Sequence, residues 1–131
     1  MNLPGSALLD TSIVVEHFRG NLQLTDVLEA AQTLFIPSIV AGELCYGALH
    51  SNHSEKRWQQ LLMFLQAVTV LSVDKETAFH YGHIRSALAQ TGTPIPENDI
   101  WIGALAIQHQ LPLATRGKHF ERIASISLLN W

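Results

Sequence analysis

Three carboxylates in this chain stand where a fold could bring them together: Asp10, Glu43 and Asp99. Asp10 follows the apolar run Ala7-Leu8-Leu9 directly, so on a strand it would emerge at the carboxyl edge. Glu43 is the only charge between Ile39 and Leu49, and its helical neighbours Ile39, Val40 and Tyr46 are apolar or aromatic. On a face that buries, its carboxylate would be costly unless a cation or donors met it. Asp99 heads the apolar stretch Ile100 to Ile107, after the stiff turn Pro94-Ile95-Pro96-Glu97-Asn98. Each has a structural alternative. Asp10 could cap a helix beginning near Ser12, Asn98 or Asp99 could serve the start of the next helix, and Glu43 could pair with one of the 8 Lys and Arg. Brought together, the three would repel one another and need a cation at neutral pH. Hard oxygens with no Cys or paired His nearby select Mg2+ or Mn2+ over Zn2+. Such an ion polarises a phosphate and acidifies a water for in-line attack.

These residues need elements to carry them. Short apolar runs recur just before polar, helix-starting residues: Ala7-Leu8-Leu9 before Asp10-Thr11-Ser12, Leu34-Phe35-Ile36 before Pro37-Ser38, Val68-Thr69-Val70-Leu71 before Ser72, and Leu113-Ala114-Thr115 before Arg116-Gly117. Each reads as strand, turn and helix start. Helices are predicted near 22–32, 38–49, 54–66, 74–90 and 99–109, with Gly20-Asn21 and Gly92-Thr93-Pro94-Ile95-Pro96 as breakers. The alternation predicts an α/β domain whose central, mostly parallel sheet is flanked by helices. In such folds ligands bind beyond the carboxyl ends of the strands.

After the last predicted strand the local charge turns positive, through Arg116, Lys118 and Arg122. This is either an ordinary solvated turn or a phosphate-facing lip made by Arg116 and Lys118. The chain as a whole is not basic: 8 Lys and Arg against 11 Asp and Glu leave −3, which argues against coating nucleic acid through a general positive field. Its 131 residues predict one domain. With 47% hydrophobic and only 15% charged residues, disorder is excluded and more apolar surface exists than one small core hides, so a partner is expected. The helix through Trp58 to Leu65 is a candidate interface, or else a two-sided core contact. The single cysteine, Cys45, requires no oxidising compartment. Met1-Asn2-Leu3-Pro4 has no basic signal region, and no apolar run reaches the roughly 18 residues of a membrane span, so the cytoplasm is the expected location. His50 with His53 and His80 with His83 have helical spacing but no accompanying zinc motif, and Trp58, Trp101 and Trp131 read as packing residues.

Four segments together carry a family resemblance along nearly the whole chain: Leu8-Leu9-Asp10-Thr11-Ser12; Pro37-Ser38-Ile39-Val40-Ala41-Gly42-Glu43-Leu44 with Tyr46-Gly47; Pro96-Glu97-Asn98-Asp99-Ile100-Trp101-Ile102-Gly103-Ala104; and Ala114-Thr115-Arg116 with Phe120-Glu121-Arg122-Ile123. In order and separation they resemble the PIN-domain ribonucleases, and within them the VapC-like toxins of bacterial toxin–antitoxin pairs. The resemblance implies one PIN-like domain over residues 1–131, with Asp10, Glu43 and Asp99 holding Mg2+ or Mn2+ and with Ser12 and Thr115 supporting the site through hydrogen bonds. It implies an endoribonuclease of a type II toxin–antitoxin system that cuts structured cellular RNA such as tRNA or rRNA. It also implies a cognate antitoxin whose tail fills the active-site groove, and a homodimer. One position departs. Where the family places a further Asp after the Thr-Arg pair this chain has Gly117, and His119 and Glu121 lie nearby without matching that position. The rival expectation is a degenerate module that binds RNA or an antitoxin without efficient cleavage.

Overall fold

Among the described residues five short parallel strands build one sheet in the order β3-β2-β1-β4-β5: β1 Ala7–Leu9, β2 Leu34–Pro37, β3 Thr69–Leu71, β4 Leu113–Ala114 and β5 Leu128–Leu129. The computed structural model describes residues 5–131; Met1-Asn2-Leu3-Pro4, read above for a signal region, lies outside the described residues. The predicted α/β architecture is the observed one. β1 occupies the centre, and its unbroken apolar run is explained by burial on both faces: Ala7, Leu8 and Leu9 are all 0% exposed. Leu8 is in register with Phe35 of β2, and Leu9 with Ala114 of β4.

Among the described residues six helices flank the sheet: α1 Thr11–Phe18, α2 Leu22–Ala30, α3 Ser38–Leu49, α4 Ser54–Ala67, α5 Lys75–Thr91 and α6 Glu97–Gln108. A 3-10 turn, His119–Arg122, follows β4. The chain steps outward from β1 through β2 to β3, then returns to lay β4 on the other side of β1. Strand order therefore reverses between β1 and β4, and a crevice opens at the carboxyl ends of those two strands.

Two elements depart from expectation. β5 was not foreseen, because two paired residues leave no periodic signal. α6 begins at Glu97 rather than at Asp99, with Pro96 at its cap position and no side-chain cap bond. The Pro96 carbonyl accepts the Asp99 N–H at 3.0 Å, so neither Asn98 nor Asp99 caps the helix. Pro96, whose ring fixes its own φ at -55, sets the entry backbone of the helix. α5 is capped conventionally: Asp74 and Thr77 form a capping box, and Gly92 closes the helix at φ 66. Thr77 also donates to Gln108, tying the start of α5 to the end of α6. The backbone N–H of Thr77 and the Gln108 amide hold the Asp74 carboxyl below its usual range.

The apolar α4 buries only Leu61 fully, while Met63 is 74% exposed, so the two-sided core contact is not found. His50 closes α3 and His53 precedes α4, so that pair shares no helix face. α6 is the most deeply set helix, with Ile102, Ala104 and Leu105 all 0% exposed. At Gly103 an added Cβ would stand 2.7 Å from Ile123 Cδ1 and 3.8 Å from Ile84 Cδ1, so this glycine sets how closely the helix carrying Asp99 approaches its neighbours. Gly103→Leu should overpack that contact and destabilise the fold by about 2 kcal/mol, read as a lower urea midpoint at unchanged slope.

Candidate active site

Asp10 leaves β1 where Thr115 leaves β4, and the Asp10 N–H donates to the Ala114 carbonyl at 3.0 Å. Both side chains are buried, at 8% and 7% exposure. The Thr115 hydroxyl donates to Asp10 Oδ2 at 2.8 Å, and the Ser12 hydroxyl donates to the same oxygen at 3.0 Å. Each hydroxyl is itself held: Thr115 Oγ1 accepts the Gly117 N–H at 3.0 Å, and Ser12 Oγ accepts the Arg116 N–H at 3.1 Å. Two relays from one loop thus converge on one carboxylate oxygen. Asp10 occupies the cap position of α1 but makes no side-chain cap bond, so helix capping does not account for it. Among the described residues nothing donates to its Oδ1.

Asp99 is the third residue of α6, and its Oδ2 lies 3.0 Å from His119 Nδ1, which donates to it. Burial pushes the Asp99 carboxyl above its usual range; the hydrogen bond from His119 pulls it back, and the nearby charge of Asp10 pushes it up again. The two aspartates therefore feel each other across the crevice.

Glu43 corrects an expectation. α3 turns Val40, Leu44 and Ala48 inward at a spacing of four, and Glu43, about 100° from Leu44 around the helix, is exposed. No Lys or Arg pairs with it among the described residues. Its carboxylate is satisfied by neutral donors: Thr11 Oγ1 donates to Oε2 at 3.0 Å and Asn98 Nδ2 to Oε1 at 3.3 Å. Thr11 follows Asp10 and Asn98 precedes Asp99, so Glu43 sits at the lip of the same crevice. Neither Thr11 nor Asn98 was singled out as a site residue; adjacency to the two aspartates was the available signal.

Among the described residues, no three His, Cys, Asp or Glu side chains close around one point as a finished metal cage. The donor set nonetheless fits a hard divalent cation. Asp10 Oδ1 is free of donors, Asp99 is raised by burial and by like charge, and Mg2+ characteristically keeps several waters while using one or two carboxylates. Arg116 and Lys118 follow Thr115 and are exposed, without an ion pair among the described residues. At Gly117 an added Cβ would lie 3.4 Å from Thr115 Oγ1 and 3.9 Å from Asp10 Oδ2, so a side chain there would enter the crevice. Its φ is not positive, and a side chain would bring no left-handed strain. Of the two residues near Gly117, His119 reaches the site through Asp99, and Glu121 is exposed and makes none of these contacts. Beside Glu43 and Thr11 a groove of about 370 Å³ opens between α1, α3 and α4, with Val15, Phe18, Leu44 and Leu61 in its apolar lining and Arg19 and Arg57 in its polar lining.

A PIN domain family model matches residues 7–126. The chain belongs to the PIN-domain family. Among its relatives are proteins named as VapC ribonucleases, which supports a nuclease: Ribonuclease VapC2 of Rickettsia felis is 34% identical over 132 residues, spanning 95% of this chain and 96% of its own length. The tRNA(fMet)-specific endonuclease VapC of Salmonella typhimurium is 32% identical over 132 residues, with the same two coverages of 95% and 96%. Among solved structures, VapBC2 of Rickettsia felis bound to a promoter DNA fragment matches with a TM-score of 0.89 at 32% identity, over 96% of this chain and 98% of that one. FitAcB of Neisseria gonorrhoeae matches at 0.82 and 26%, over 95% and 96%.

Two outcomes follow from the charges in the crevice. The folded state raises the Asp99 pKa, so its ionisation costs stability as pH rises through that value. Metal-free Asp99→Asn should therefore melt above the parent at pH 7, and the two should converge below the unfolded Asp value of about 3.9. Gly117→Asp should melt below Gly117→Asn without metal and gain more from added Mg2+, measured by melting curves with and without the ion. Equal metal responses would remove position 117 from the site.

Proposed function

We propose that the protein is a Mg2+-dependent endoribonuclease and the toxin of a type II toxin–antitoxin pair. The observation that carries this reading is Asp10, buried at the β1–β4 switch point and fixed by two hydroxyls on one oxygen, with Asp99 close enough to feel its charge. Asp10 and Asp99 would hold the metal, with Glu43 as the third carboxylate at the lip. When bound, the cation neutralises charge at the scissile phosphate and acidifies water for in-line attack. The chain's own residues do the rest. Ser12 and Thr115 orient the Asp10 carboxylate, Thr11 and Asn98 orient Glu43, and Arg116 with Lys118 neutralise the RNA backbone. The substrate is structured cellular RNA such as tRNA or rRNA, in keeping with the Salmonella relative, which is by name specific for tRNA(fMet).

The partner is a cognate antitoxin, since solved relatives are VapBC complexes. The groove beside Glu43 offers such a tail an apolar floor and two arginines. Self-association into a homodimer is supported by large apolar side chains left in solvent, among them Tyr46 at 65%, Leu49 at 60% and Phe79 at 58% exposed. Action on cellular RNA places the proposed activity in the cytoplasm; among the described residues no helix is long and apolar enough to cross a membrane. The non-cutting module is the less supported reading, because the relatives are named as ribonucleases and endonucleases.

The test is cleavage of tRNA and rRNA by the purified chain freed of any partner. EDTA should stop it, and Mg2+ or Mn2+ should restore it. Asp99→Asn should cost at least about a hundredfold in rate while remaining folded, because it removes charge from the metal's ligand set. Cleavage indifferent to chelation, or undiminished in Asp99→Asn, would defeat the metal mechanism. Light scattering of the same sample should show a dimer, and a monomer at high concentration would count against the apolar-surface argument.

A further inference from the structure

The first turn of α6 is tied to three separate elements through three consecutive residues. Glu97 accepts the Tyr81 hydroxyl of α5, and Arg85 of the same helix lies 3.7 Å from its other oxygen. Arg85 Nη1 in turn donates to Tyr81 Oη at 2.7 Å, and the Tyr81 ring stacks on Trp101 of α6 at 4.0 Å between centroids. Asn98 reaches Glu43 of α3, and Asp99 meets His119 of the 3-10 turn. Successive helical residues point about 100° apart, so these three arms span roughly 200° of the circumference and fix the rotation of the turn about its axis.

Two of the arms end in the candidate site. The third does not, and no capping side chain at Pro96 does its work instead. We propose that Glu97, Tyr81 and Arg85 are positioning residues, which set the rotation of this turn and so place Asn98 against Glu43 and Asp99 beside Asp10. Arg85 and Glu97 are 64% and 57% exposed, and an exposed ion pair adds little to global stability. Its consequence is therefore geometry at the site. The assignment to catalysis rests on the ribonuclease reading above, while the structural tie can be measured without it.

The experiment uses the full chain with Tyr81→Phe, which removes the hydroxyl and keeps the ring on Trp101, Glu97→Ala, and Glu97→Gln, which keeps an acceptor for Tyr81. The first readout is NMR of the metal-free proteins. Tyr81→Phe and Glu97→Ala should both shift the Asn98 side-chain amide and the His119 ring signals, and Glu97→Gln should return them most of the way. The second is cleavage of an RNA that the parent cuts. In the two disruptive variants kcat should fall about tenfold, with KM within about twofold and the Mn2+ needed for half-maximal rate raised about threefold, as expected when a ligand is misplaced by a fraction of an ångström. Unmoved Asn98 and His119 signals would overturn the proposal whatever the rates do. So would a loss confined to KM, or a lower melting temperature with kcat intact. A parent that cuts no RNA with any metal would sink the ribonuclease reading instead, and the NMR comparison alone would then decide whether the arm positions the turn.

Discussion

Two aspartates share one sheet edge in this protein with no Lys or Arg paired to either among the described residues, and much of the local structure answers that constraint. Asp10 keeps its place through neutral donors. Two hydroxyls meet one oxygen, and two backbone N–H groups of the loop after β4 hold those hydroxyls. Donors of this kind fix the carboxylate in place and carry no charge of their own to offset its charge. The negative potential of the crevice is thus left standing, which is the condition under which a divalent cation is drawn in.

The sheet topology makes this arrangement possible with very short strands. Because β4 returns to the opposite side of β1, Asp10 and Thr115 leave adjacent strands at the same level, with Leu9 and Ala114 in register just beneath them. α1 starts immediately after Asp10, so Ser12 is folded back over the carboxylate it serves. The strand supplies position and the helix start supplies the second donor. β1 is three residues long and fully buried, and Gly103 lets α6 pack closely against Ile123 and Ile84.

The strand-end residues were the most legible part of the sequence, since an apolar run followed at once by Asp or Thr places that side chain at a sheet edge whatever the helices do. Glu43 was harder to read. α3 carries apolar or small residues on its outward face too, with Tyr46 and Leu49 in solvent, so its hydrophobic pattern has no polar side to betray which way Glu43 points. The start of α6 was misplaced for a related reason. Its apolar periodicity begins at Ile100, but the helix begins three residues earlier, in a polar turn whose side chains are committed to neighbouring elements rather than to the core. β5 was invisible because its two residues pair only after β4 is in place. In each case the missing information was tertiary, and for Glu43 and the α6 start it concerned the candidate site itself.

Gly117 fits this account in a way its departure from the family pattern does not convey. The hydrogen bond it contributes to Thr115 comes from its backbone N–H, so the relay onto Asp10 survives the absence of any side chain. What is absent is charge. A carboxylate at this position would start from a Cβ 3.9 Å from Asp10 Oδ2, close enough for its charge to repel that of Asp10. Leaving the position as glycine spares the metal-free fold that repulsion, and His119 gives Asp99 a donor of its own. The same economy removes one hard ligand from the cation's side of the balance. Affinity for metal and stability without it are therefore set against each other at one residue, with the hydroxyl relay common to both states.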